Sequence, residues 1–187
     1  LNAARMGGIN SLNKRQREFI NNWEAEAFRM SIASGASAGQ LKGRVAVVTG
    51  AGSGLGRSIA VGLARTGAAV AIADIDKSAA METACIIREE VPGASVESVH
   101  CNVTSEKSVD DSFGQVLNKW GGLDIVVNAA GVAPAYPLAD LPADKWRLAL
   151  EVNLTGYFLM AKYAARIMID QRMGGTIINV SSKTGLD

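Results

Sequence analysis

Five clusters of small or polar residues each follow an apolar run: Thr49-Gly50-Ala51-Gly52-Ser53-Gly54-Leu55-Gly56, Asp74, Asn102-Val103, Asn128-Ala129-Ala130-Gly131 and Ser181-Ser182. The first is a glycine-rich turn. Glycine has no Cβ and adopts unusual φ/ψ, so backbone at such a turn can approach an anion closely. A helix opening directly after it adds free N–H groups and the positive end of its dipole. Strand, turn and helix together predict a pyrophosphate cradle, and therefore a bound dinucleotide. Asp74 comes about 20 residues after the turn, the spacing expected of a carboxylate that accepts from adenosine ribose hydroxyls. A 2′-phosphate there would meet a like charge, and neither Ser53 nor Ile75 is a cation to invite one. NAD is therefore expected in preference to NADP. The plain alternatives are an ordinary glycine loop and a polar residue ending a strand.

Strands are expected at 44–49, 69–74, 95–100, 123–128 and 176–181, and helices at 55–65, 78–90, 105–120 and 145–173. Several strands are continuous apolar runs, as when a parallel sheet is covered on both faces. The right-handed crossover rule then gives an α/β fold, a doubly wound parallel sheet of the Rossmann kind, with ligands at the carboxyl ends of its strands. Singly, Asn102, Asn128 or Ser182 could be a loop residue or a helix cap. Their shared placement at one sheet edge favours a site.

Residues 1–40 differ in character. Phe19, Trp23, Ala27 and Met30 recur at roughly helical spacing among mixed charges, and a Ser/Gly/Ala tract then reads as a linker. The segment is either the tail of a preceding module or an arm folding back on its own domain. Its acidic residues disfavour a transit peptide. Residues 41–187 are the expected nucleotide-binding domain.

Composition narrows the classes. A chain of 187 residues, 48% hydrophobic with 20 glycines, suits one α/β domain. A net charge of +1 gives no reason to invoke nucleic acid or an anionic membrane. Cys85 and Cys101 lack metal-ligand spacing and His100 is the sole histidine, so no metal site and no histidine triad are expected. No apolar stretch is long enough to span a bilayer, and the cytoplasm is the default compartment.

The glycine turn, Asn128-Ala129-Ala130-Gly131, Asn153 within Glu151-Val152-Asn153-Leu154-Thr155-Gly156, and Gly175–Ser182 resemble, in order, the motifs of the short-chain dehydrogenase/reductase family. The likeness runs from Leu41 to Asp187, in the family's short single-domain branch. It implies a hydride transfer between NAD and an alcohol or carbonyl substrate, and a homo-oligomer. It assigns Gly50, Gly54 and Gly56, with Ser53 and Leu55 between them, to the pyrophosphate turn and Asp74 to the ribose. Asn102 and Val103 would flank the adenine, the Asn102 amide oxygen accepting from the exocyclic amine where the family more often has Asp. Asn128, Ala129 and Gly131 would lie beside the cofactor, Asn128 also tying strands together. Asn153 resembles the asparagine that holds a proton-relay water, and Ser182 the residue that hydrogen-bonds the substrate oxygen.

The family's base, a tyrosine in Tyr-x-x-x-Lys, has no counterpart in this sequence. Tyr157 and Lys162 stand at i, i+5, which turns them roughly 140° apart on a helix. They read as structural, as do Tyr136 and Tyr163. The chain starts without Met and stops where that tyrosine is due, so a fragment, C-terminally truncated and inactive alone, is expected. Two other readings stay open: a non-catalytic NAD sensor and an interaction scaffold. Ser182–Asp187 is similar to the serine segment of dehydrogenases fused behind a class II sugar-phosphate aldolase, which points to sugar, polyol or hydroxyaldehyde substrates.

Overall fold

The computed structural model describes residues 39–182. The helical and linker readings of residues 1–38, and the segment after Ser182, lie outside them.

Five parallel strands form one sheet: β1 (Val45–Thr49), β2 (Ala69–Asp74), β3 (Val96–His100), β4 (Ile125–Asn128) and β5 (Thr176–Asn179). Their spatial order is β3-β2-β1-β4-β5. The chain therefore reverses its winding direction between β1 and β4, the switch point where open α/β sheets hold ligands.

Alternation along the strands sorts side chains to two faces. Ala46, Val48, Val70 and Ile72 pack with Ala60, Ala64, Ala80, Ala84 and Ile87, carried by α1 (Gly54–Arg65) and α2 (Lys77–Glu90). Val45, Val47, Ala71, Ala73 and Val126 pack with Phe113, Val116, Met160 and Ile167 on the opposite face. Those come from α3 (Glu106–Trp120) and α5 (Gly156–Asp170). Both faces of β1 are thus covered, and all five of its residues are buried. This is why that strand reads as an unbroken apolar run.

Caps fix where two helices begin. Asp76 accepts from the Ser78 and Ala79 N–H groups at 2.8 and 3.1 Å, which starts α2 at Lys77. Ser105 accepts from Ser108 N–H before α3, and Gly121 (φ 80°) closes that helix in the left-handed region.

Two expectations need correction. The helix expected over 145–173 is broken into α4 (Ala143–Leu150), a π turn (Glu151–Thr155) and α5. Gly156 N–H reaches Glu151 O, five residues back, which widens the turn around Asn153. The last strand stops at Asn179 rather than Ser181. Among the described residues it pairs only with β4, and Ile178 is half exposed.

Candidate functional site

The first strand delivers Thr49 into the glycine turn. Thr49 Oγ1, almost fully buried, accepts from the Ala129 and Ala130 N–H groups at 3.1 Å each. This single hydroxyl joins the ends of β1 and β4. Gly50 has φ +63°, and a Cβ there would lie 2.7 Å from Ala130 Cα, so only glycine lets the two loops meet. Gly54 (φ +53°) faces open space. Ser53 caps α1 without any side-chain hydrogen bond, and no acidic residue sits in the first turn. The helix N-terminus is thereby left to attract an anion from outside the protein.

Asp74 ends β2 half-buried. Its Oδ2 accepts from Gly52 N–H at 2.8 Å and its Oδ1 from Asp76 N–H at 2.9 Å. One acceptor position on each oxygen is used, and a carboxylate has about two per oxygen. A pair of outward positions is left, which suits a diol.

At the end of β3, Asn102 Oδ1 accepts from both the N–H and the hydroxyl of Thr104, at 3.1 and 2.8 Å. Both lone pairs of that oxygen are committed. Acceptance from an adenine amine by that oxygen would therefore compete with the two Thr104 bonds, while Nδ2 is a donor. Val103 is buried against Gly156, where a Cβ would come within 2.8 Å of the Val103 methyl.

The second half of the site lies beyond β4. Asn128 is fully buried; its Nδ2 donates to Asn179 Oδ1 at 2.8 Å across β4 and β5, and its Oδ1 has no protein partner. Asn153, in the π turn, clasps one residue twice: Val132 N–H donates to Oδ1 at 2.9 Å and Nδ2 donates to Val132 O at 2.8 Å. The amide thus fixes the loop after Gly131. A cleft of about 540 Å³ opens between them, lined by Gly131, Val132, Asn153, Tyr157, Ser181 and Ser182 among others. Ala129 also borders it.

Tyr157 donates to Val180 O at 3.1 Å, tying α5 to the segment leading to Ser182. Burial pushes its phenol above the usual value, opposite to what a base requires. Lys162 turns elsewhere, onto Glu106 Oε1 at 2.5 Å. That contact draws the Glu106 carboxyl below its ordinary range. The structure thus brings the five strand-end clusters to one edge, the glycine turn and Asp74 on one side and Asn153 and Ser182 on the other. Sequence reasoning quotes Thr49, Gly52 and Gly156 within its motifs but gives none of them a role of its own. The close approaches that require glycine at 52 and 156 involve residues distant in the chain.

Among the described residues no group of three or more His, Cys, Asp or Glu is placed to hold a metal ion. None of their helices is long and apolar enough to cross a membrane.

The family profile described as short chain dehydrogenase matches residues 44–187. An uncharacterized oxidoreductase of Thermotoga maritima is 39% identical over 142 residues, 76% of this chain and 54% of that protein. A sorbitol dehydrogenase of Cereibacter sphaeroides is 35% identical, over 78% of this chain and 55% of its own. The uncharacterized oxidoreductase YuxG of Bacillus subtilis is 30% identical over 98% of this chain and 26% of its own length. A crystal structure of a short-chain type dehydrogenase/reductase from Mycobacterium marinum superposes with a TM-score of 0.76 at 35% identity, covering 80% of this chain and 60% of that one. The chain spans about half the length of the first curated relatives it matches.

Proposed function

The chain belongs to the short-chain dehydrogenase family, and from that premise we propose that it binds NAD along the carboxyl edge of its sheet. In the whole protein this site would serve hydride exchange between an alcohol and its carbonyl. The observation that carries the cofactor choice is Asp74, whose two carboxylate oxygens are oriented by Gly52 and Asp76 N–H groups. The bound NAD would supply the hydride acceptor or donor.

The residues present fit that group. The α1 N-terminus and Gly54 would receive the pyrophosphate, Asp74 the ribose, and the buried acceptor Asn128 Oδ1 lies at the strand ends beside the path. Ser182, at the mouth of the cleft, would donate to the substrate oxygen and stabilise its developing charge. Asn153, by holding Val132, would keep the loop beside the substrate in place, and the widened π turn offers backbone for a relay water. No Tyr-x-x-x-Lys pair occurs in the sequence. The isolated chain is accordingly read as binding cofactor without turnover.

The sorbitol dehydrogenase relative supports a sugar, polyol or hydroxyaldehyde substrate. The YuxG match, extending over 98% of this chain, takes in residues before the sheet and supports reading residues 1–40 as the tail of a preceding module. Exposed Trp146, Leu150, Leu154 and Phe158 stand at i+4 steps along α4, the π turn and α5, and support association with a second copy. Sedimentation of the whole protein tests that association.

Calorimetric titration with NAD and NADP tests the cofactor choice. NAD is expected to bind more tightly, and Asp74→Ala to narrow or erase the difference. An unchanged preference in Asp74→Ala overturns the assignment.

A further inference from the structure

We propose that Arg57 is a positioning residue for cofactor recognition, acting on Asp74 through Gly52. The inference rests on the NAD reading given above.

Arg57 lies in α1, just past the glycine turn, with its side chain mostly shielded. Its Nε and Nη2 both donate to Gly52 O, at 3.1 and 2.5 Å. Nε also donates to Thr83 Oγ1 at 2.9 Å, and Nη2 to Glu82 Oε2 at 2.9 Å. Thr83, fully buried on α2, donates to Gly52 O as well, at 3.3 Å. Three donors from two helices therefore converge on one carbonyl of the turn.

The other flank of Gly52 carries the function. Its N–H donates to Asp74 Oδ2, and Asp76, which starts α2, donates its N–H to Oδ1. A closed circuit results: α2 holds Arg57, Arg57 holds the Gly52 carbonyl, Gly52 holds Asp74, and Asp74 returns to the head of α2. A Cβ at position 52 would lie 2.8 Å from Asp74 Oδ2 and 2.8 Å from Ala79 Cβ. The peptide thus approaches the carboxylate as closely as a backbone can.

The circuit sets the carboxylate before any ligand arrives. With one donor on each oxygen, the remaining acceptor positions face outward as a fixed pair, and a ribose diol binds without first ordering the side chain. The Arg57 charge is shared among Gly52 O, Thr83 and Glu82, so it serves the turn rather than a 2′-phosphate.

A double-mutant cycle on this chain, read by calorimetric titration with NAD, tests the proposal. Arg57→Met keeps the aliphatic stem and removes every donor. It is expected to weaken NAD binding about tenfold, the scale of coupling between residues in one hydrogen-bond network. In the Asp74→Ala background the same change should do almost nothing. Thr83→Val, which removes a single donor to Gly52 O, should weaken binding less, and Arg57→Lys should recover part of the loss. If Arg57→Met does not fold, by its thermal melt, Thr83→Val with and without Asp74→Ala carries the same cycle. An equal loss in both backgrounds, or no loss while Asp74→Ala itself weakens binding, overturns the relay and leaves the NAD reading standing. Absence of NAD binding by the unaltered chain overturns that reading, and the relay with it.

Discussion

Thr49→Val isolates one oxygen atom. Valine matches threonine in shape, so the packing of β1 is preserved while the Oγ1 acceptor vanishes. That oxygen receives the Ala129 and Ala130 N–H groups, and its own donation to Val127 O is long at 3.5 Å. Two backbone donors would lose their partner at a position where Thr49 is 1% exposed. A buried donor left unpaired costs about 1–3 kcal/mol. Ala129 and Ala130 are only half-buried, so the lower part of the range applies, about 2–4 kcal/mol for the pair. With a urea slope of about 2 kcal/mol/M, the midpoint should fall by about 1–2 M at unchanged slope. Thr49→Ser keeps the oxygen and loses a methyl, about 0.8 kcal/mol. Urea unfolding followed by circular dichroism reads both variants. A Thr49→Val midpoint equal to or above that of Thr49→Ser would refute the claim that this hydroxyl binds the two strand ends together.

Further outcomes follow from other groups. Burial raises the Cys101 thiol to about 11, whereas Cys85 is exposed; iodoacetamide on the native chain at pH 8 should label Cys85, and Cys101 only after unfolding, by peptide mass. Asp110 is held above the ordinary carboxylate range, first by burial and then by Asp111, and its Oδ1 has no partner. A raised folded-state value means stability grows as pH falls through it toward the unfolded value. Asp110→Asn should therefore raise the melting temperature at pH 7, and the gain should shrink near pH 3; a variant less stable at pH 7 contradicts this.

The order of elements and the edge that carries the site are legible in the sequence because β1 and β2 are apolar runs ending at glycines and at Asp74. Each such signal is local: an unbroken run, a turn residue, a carboxylate at a strand end. The π turn escapes because inserting one residue in a helix hardly disturbs apolar spacing; it shows only in the backbone bond from Gly156 N–H to Glu151 O. The early end of β5 escapes because β-propensity continues through Val180, while the register with β4 ends at Asn179 and a single further bond, from Val180 N–H to Asn128 O, follows it. The bonds to the Asn102 oxygen from Thr104, two residues on, are a side-chain contact that residue type alone does not display. Arg57 and Thr83 carry no signal of their own in the sequence, because what joins them is the Gly52 carbonyl, which they approach from two helices.

The sheet order also bears on how the chain assembles. Val45 pairs with Ala69 and Val70 with Val96, so β1, β2 and β3 are joined in turn by crossovers that each hold one helix, α1 and then α2. Ala46 finds its other neighbour only at Ile125, closing a loop roughly threefold longer, at an added entropic cost of about 1 kcal/mol. The half bearing the glycine turn and Asp74 is expected to condense first, and the half bearing Asn128, Asn153 and Ser182 to dock onto it later. An early folding species with β1, β2 and β3 in place would hold the glycine turn and Asp74, the half proposed to receive the adenosine, before Asn153 and Ser182 are in position. Nucleotide added during refolding would then act as a template for the rest of the chain.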